Sequence, residues 1–236
     1  MYFKYGENEI EYLKSKDKKL AEIIDKVGPI KRRTEPDLFT SVVHQIVGQQ
    51  ISTKAQVTIW NRFLNLLSDD KRGQSGIEPN TSETAAVEGS RALVTADQIC
   101  ALTNEELQSV GLSFRKVEYI KDFAGKVHSG EFDIKALKDM SDEEAIEALS
   151  ALKGIGVWTA EMLLLFCLQR PDILSYGDLA IRRGMRMVYR HRELDKKKFE
   201  KYRRRLSPYC SVASLYFWAV AGGAIPELTD PAPKKR

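Results

Sequence analysis

Three short boxes constrain what this chain can fold into more than any other feature. Thr95-x-x-Gln98, Thr103-x-x-Glu106 and Ser141-x-x-Glu144 each stand just ahead of a run whose apolar residues recur every three or four positions. In such a box the hydroxyl accepts from the backbone N–H three residues on. The Glu or Gln reaches back to the first residue's own N–H, so the pattern marks a helix start. The boxes predict helices beginning near residues 96, 104 and 142. Leu13, Leu20, Ile24 and Val27 make one further helical run, stopped by Gly28-Pro29. Pro36 opens another, with Leu38, Phe39, Val42, Val43, Ile46 and Val47 apolar, and after Gly48 the pattern resumes from Ile51 to Leu67. Val/Ile runs bounded by turns, the mark of strands, are scarce. The expected class is all-α.

Between the helical patterns Ser141 to Leu152 and Trp158 to Leu168 lies Leu152-Lys153-Gly154-Ile155-Gly156-Val157-Trp158-Thr159-Ala160. Glycines on either side of Ile155 permit a tight hairpin, with isoleucine turned inward and N–H groups of the next helix start facing out. A phosphate is held in this way. A structural helix–turn–helix uses such glycines too. About twenty residues later a lone acid, Asp178, heads the run Leu179 to Tyr189. It reads as a helix cap, and equally as a carboxylate standing beside whatever the hairpin holds.

Charge enters through its placement. The formal net charge is only +4, yet twelve Lys or Arg stand against three acids between Arg182 and Arg205. By itself such a block is a solvated helix face. Directly after the hairpin and Asp178, it favours nucleic acid. Cys100, Cys167, Cys210, His44, His128 and His191 are dispersed, which makes neither a disulfide framework nor the clustered spacing of a zinc or iron–sulfur site. A reducing compartment is expected, the cytoplasm or, in a eukaryotic cell, the nucleus. The longest apolar run, Met162 to Leu168, is far short of the roughly 20 residues of a membrane span, and no signal-peptide pattern is seen. Residues 68–94 are polar and rich in Gly, Ser, Thr and Glu and read as a mobile surface loop. Residues 229–236 read as a disordered tail.

Four stretches and a fifth, in order, carry a likeness to a known family. They are Ile46-Val47-Gly48-Gln49-Gln50-Ile51-Ser52, Val110-Gly111-Leu112-Ser113-Phe114-Arg115-Lys116, the hairpin through Glu161-Met162, Arg170-Pro171-Asp172 leading to Gly177-Asp178, and Ser207-Pro208-Tyr209 with Ser211-Val212-Ala213-Ser214. Together they resemble the helix-hairpin-helix DNA glycosylase superfamily, most of all its 3-methyladenine DNA glycosylase II branch. The resemblance implies two helical subdomains flanking a DNA-binding cleft. Residues 1–35 would pack with the C-terminal subdomain, 36–165 would form a bundle ending in the hairpin, and 166–228 would carry the catalytic acid.

The same resemblance assigns roles. Asp178 matches the catalytic aspartate, Trp158 and Tyr209 match aromatics of the base pocket, and Met162 stands at that pocket's third aromatic position. Gln50 matches the residue that fills the gap left by a flipped nucleotide. Gly154, Ile155, Gly156 and Thr159 match the DNA-backbone-binding hairpin. Bifunctional relatives carry a nucleophilic lysine where this chain has Trp158, and Lys153 lies elsewhere in the turn. The implied activity is a monofunctional glycosylase that removes alkylated purines from duplex DNA, acting as a monomer. No catalytic metal or redox cofactor is implied, although a monovalent cation at the hairpin carbonyls is. Plainer readings stay beside these: core packing for Met162, a polar helix end for Gln50. Cys210 departs from the family's P-Y-R-S-V-A-S, where arginine stands. Two other functions remain open, a non-catalytic binder of damaged DNA and a glycosylase of the same superfamily for another lesion.

Overall fold

The computed structural model describes residues 1–69 and 93–232. Among these the regular structure is helical: α1 (Glu7–Lys16), α2 (Lys18–Val27), α3 (Leu38–Gly48), α4 (Thr53–Asp69), α5 (Ala96–Ala101), α6 (Asn104–Ser109), α7 (Phe114–Ser129), α8 (Asp142–Ser150), α9 (Val157–Phe166), α10 (Leu179–Tyr189), α11 (Lys196–Leu206) and α12 (Cys210–Ala221). A 3-10 turn spans Ala136–Lys138. The only extended pairing among the described residues is an isolated antiparallel bridge between Tyr2 and Arg33. No described helix is long and apolar enough to cross a membrane.

All three boxes form, and their helices begin at Ala96, Asn104 and Asp142. The pattern misleads at Asp17. What reads as one N-terminal helix is two, because Asp17 leaves the helical region (φ −145°, ψ 104°) and caps α2 by accepting from Lys19 N and Leu20 N. Its second oxygen accepts from Arg205 Nη1 at 2.8 Å and from the Tyr189 hydroxyl at 3.1 Å. A buried carboxylate satisfied by four donors breaks the helix that its apolar spacing would otherwise have continued.

The chain divides into two compact units. One comprises Met1–Pro36, Ser141–Leu149 and Gly156–Arg236. Here α10 lies against α12, with α2 packed on both. The crossing is close because Gly184 has no side chain: a Cβ there would fall 2.1 Å from the Phe217 carbonyl oxygen. The other unit comprises Asp37–Met140 and Ser150–Ile155. In it α7 packs against α3, α5 and α6, and the rings of Phe39 and Phe123 stack at 4.9 Å. Lys121 Nζ donates to the carbonyls of Ile99, Cys100 and Leu102, and so satisfies the open end of α5. Contacts thus group α9 and most of α8 with the termini, where the sequence reading ran the middle subdomain on to residue 165.

Two edges differ from expectation. Ser68 and Asp69 still belong to α4, and Val94 is buried with its N–H donating to Thr40 Oγ1; residues 70–92 of the expected loop lie outside the described residues. Residues 229–232 are not a loose tail. Asp230 accepts from Arg186 Nε at 3.0 Å and from its Nη2, and a bidentate pair of this kind holds a segment whose composition alone reads as disordered. Residues 233–236 also lie outside the described set.

Candidate active site

The two sequence stretches around Arg170-Pro171-Asp172 and Ser207-Pro208-Tyr209 turn out to be one hydrogen-bonded knot. Ser207 Oγ donates to Asp172 Oδ2 at 2.6 Å, and Cys210 N donates to Asp172 Oδ1. Ser211 N donates to Pro171 O, its hydroxyl donates to Arg170 O, and that hydroxyl in turn accepts Ile173 N–H. Ser214 Oγ donates to Ile173 O. Short hydroxyl side chains at and just before the start of α12 therefore satisfy a partly buried loop that has no ladder of its own. That loop ends at Asp178.

Asp178 is 7% exposed and caps α10, its Oδ1 accepting Ile181 N–H at 2.8 Å. The same oxygen accepts Trp218 Nε1–H at 3.2 Å, while Oδ2 accepts Trp158 Nε1–H at 2.9 Å. Three N–H donors from α9, α10 and α12 thus hold one carboxylate in a single orientation. Trp218 is itself fixed, stacked on Phe166 at 5.6 Å, whose ring lies under the Arg32 guanidinium. Trp158 is 45% exposed, so part of its ring surface stays open to a ligand while its N–H holds the acid.

The glycine hairpin has the local geometry that its sequence calls for. Gly154 has φ +81°, and a Cβ there would lie 2.3 Å from the Tyr119 ring, so both backbone and space require glycine. Ile155 is 4% exposed and its N–H donates to Leu152 O. Gly156 is the N-cap of α9, and no side chain caps that helix, which leaves its first-turn N–H groups for an anion. Thr159 is 8% exposed, so its offer to a ligand is the backbone rather than the side chain. In the unit that holds Gly154, Gln49 Nε2 donates to Gly154 O at 2.6 Å. The neighbouring Gln50 is exposed and sits between α3 and α4 at φ +56°. A non-glycine residue in that conformation costs free energy and concentrates at ligand-clamping positions.

The remaining candidates make contacts of their own. Tyr209 meets Tyr12 edge-on at 5.1 Å. Met162 is 5% exposed within α9, which suits its packing role. Cys210 is fully buried, and burial first, then Asp172, pushes its thiol well above the usual range. Lys153 Nζ pairs with Glu118 and Asp122, both at 3.2 Å, and those two carboxylates raise its pKa. Part of the basic block is spent internally: Arg186 on Asp230, Arg205 on Asp17, and Arg182 over the Tyr176 ring at 4.9 Å.

Sequence reasoning missed Trp218, Glu161, Ser175 and Gly184. Trp218 lies in the apolar run of α12 and reads as core, and nothing in its spacing points to an acid forty residues away. Glu161 stood in the sequence only as the end of the hairpin stretch that resembles the family, with no role attached.

A family model of the HhH-GPD superfamily of base excision DNA repair proteins matches residues 43–208. The chain belongs to that superfamily. It is similar to the solved DNA-3-methyladenine glycosidase of Bacillus halodurans, 34% identical, with 97% of this chain and 95% of that one covered at a TM-score of 0.80. DNA-3-methyladenine glycosylase 1 of Schizosaccharomyces pombe is 28% identical over 221 residues, 92% of this chain and 87% of that protein. A solved 3-methyladenine DNA glycosylase from the same yeast, in complex with abasic DNA, aligns at a TM-score of 0.69 and 26% identity, covering 94% of this chain and 99% of that one. The all-helical class expected from periodicity is thus the HhH-GPD fold.

Proposed function

We propose that this protein is a monofunctional DNA glycosylase that hydrolyses the N-glycosidic bond of alkylated purines of the 3-methyladenine type in duplex DNA, with Asp178 as its catalytic carboxylate. The observation that carries this is the carboxylate held by Trp158, Trp218 and the head of α10. A purine methylated at a ring nitrogen is cationic. When its glycosidic bond breaks, the bonding electrons leave with the base, which departs neutral, and positive charge develops on the sugar. Asp178 stabilises that charge in place and accepts a proton as water bonds to the anomeric carbon. The leaving base needs no proton, so one carboxylate suffices. The open part of the Trp158 ring attracts the cationic base before cleavage. Extrusion of the nucleotide costs a few kcal/mol, and exposed Gln50 is the side chain to fill the gap.

Two features support hydrolysis without strand cleavage. Trp158 offers an indole where a lyase needs an amine. Lys153 pairs with Glu118 and Asp122, which favour its protonated, non-nucleophilic form. This hydrolysis uses neither a metal nor a redox cofactor. A monovalent cation at the hairpin fits as a backbone-binding aid: Leu152 O and Gly154 O each accept one hydrogen bond and keep a lone pair for it. A monomer in the cytoplasm suits this reading.

The test is incubation of the protein with methylated duplex DNA, scoring free base, strand breaks and borohydride-trapped adduct. Free alkylated purine with intact strands supports the proposal. Breaks with a trapped adduct would show a lyase, and tight binding without release would show a damage-binding module.

A further inference from the structure

Glu161 stands one turn beyond Trp158 on α9. Its carboxylate accepts the hydroxyl of Ser175, and Ser175 is fully buried. The Ser175 carbonyl accepts Asp178 N–H at 3.4 Å, which closes the turn Ser175-Tyr176-Gly177-Asp178. The middle of that turn is packed on Trp158: a Cβ on Gly177 would lie 3.5 Å from Trp158 Cβ and 3.6 Å from Ser175 Oγ. One helix therefore grips both ends of the turn, through Trp158 at Asp178 and through Glu161 at Ser175.

We propose that Glu161, acting through Ser175, is a positioning residue for the Asp178 carboxylate. The proposal rests on Asp178 being the catalytic group. With Ser175 held, the turn has one place to sit, and Asp178 Oδ2 meets Trp158 Nε1 while Oδ1 meets Trp218 and Ile181. With Ser175 released, that end of the turn loses its tie to α9, and the turn keeps only its contacts at Tyr176, at Gly177 and at the oxygens of Asp178. A hydroxyl-to-carboxylate bond is charge-assisted and among the stronger side-chain contacts. The arrangement also has a cost. Burial pushes the Glu161 carboxyl up, the Ser175 hydroxyl and Arg203 draw it down, and the nearby Asp178 pushes it up again. A half-buried acid beside a second acid departs from ordinary core packing, and such departures concentrate at functional sites.

The test uses Glu161→Ala, Glu161→Gln and Ser175→Ala in the full chain. The first readout needs no activity: the indole N–H resonances of Trp158 and Trp218 in the free protein. The second is single-turnover base release, and the third is affinity for an abasic-site duplex. Glu161→Ala and Ser175→Ala should move both indole resonances and slow release by about tenfold or more, with affinity within about threefold of wild type. Glu161→Gln keeps an acceptor for Ser175 and should restore both. Unmoved resonances and unchanged release in the two alanine variants would overturn the proposal. So would a Glu161→Gln variant as impaired as Glu161→Ala, because charge rather than the Ser175 bond would then be at work. A wild-type protein that releases no base, while the indole resonances move as described, would sink the glycosylase reading and leave the positioning of Asp178 intact.

Discussion

Replacing Gly184 by alanine perturbs the acid from a distance. A Cβ at this position would lie 2.1 Å from Phe217 O, 2.7 Å from its C and 2.9 Å from its Cα, all backbone atoms that cannot rotate away. Ordinary contact begins at 3.4 Å, so α10 and α12 would have to part by about 1.3 Å there. Such overpacking costs roughly 1–3 kcal/mol. At about 2–4 °C per kcal/mol for a chain of this size, Tm should fall by roughly 2–12 °C. The movement also reaches the site, because α10 begins at Asp178 and Trp218 follows Phe217. Their hydrogen bond is 3.2 Å long, and a further ångström breaks it. A misplacement of that size costs up to about a hundredfold in rate. Thermal unfolding, single-turnover release and abasic-duplex titration together check the reasoning: stability and rate should fall while affinity holds, since the hairpin is untouched. An alanine variant with wild-type Tm and rate would show that the helices do not cross as closely as described.

Other outcomes follow from neighbouring features. Gly154→Ala should cost roughly 1–3 kcal/mol through its positive φ and the Tyr119 ring and should weaken DNA binding. Gly156→Ala, with nothing within 4 Å of a new Cβ, should leave unfolding midpoints almost unchanged, and equal effects of the two would contradict the hairpin geometry. Arg186 holds the Asp230 carboxyl below its usual value of 3.8. A carboxyl lowered in the folded state contributes stability above that usual value and loses it as pH falls through the lowered one. Proteolytic release of the segment after residue 228 should therefore be flat near neutrality and rise only at strongly acid pH; a rise between pH 5 and 7 would point to a different tether. Lys153→Ala should leave base release and product pattern unchanged in a gel assay, whereas loss of activity would reopen the lyase reading.

Helices whose signals are local were legible. The three capping boxes name their own start residues, and Asp178 declares itself a cap because its partner, Ile181 N, is three residues away. The acid's company was less legible. Trp158 could be paired with Asp178 only through a family resemblance, while Trp218, Ser175 and Glu161 meet it through helix packing that no periodicity encodes. Asp17 shows the opposite failure. Its apolar neighbours continue a helical pattern, and the break comes from Arg205 and Tyr189, contacts made far along the chain. Gly184 is silent for the same reason, since only the approach of Phe217 makes it necessary. The serines of the 207–214 stretch looked like family signature alone, and their work is to satisfy the loop that delivers Asp178.

The most direct single measurement is release of free purine from methylated duplex DNA by Asp178→Asn beside wild type, under single turnover with enzyme in excess. Asparagine keeps the size of the side chain and one oxygen to accept from Trp218 and Ile181, losing only the acceptor for Trp158, so the fold and DNA affinity should persist. Release should fall by at least about a hundredfold to a thousandfold. Release at the wild-type rate by a folded, DNA-bound Asp178→Asn would show that the carboxylate held by the two tryptophans is not the group that breaks the bond.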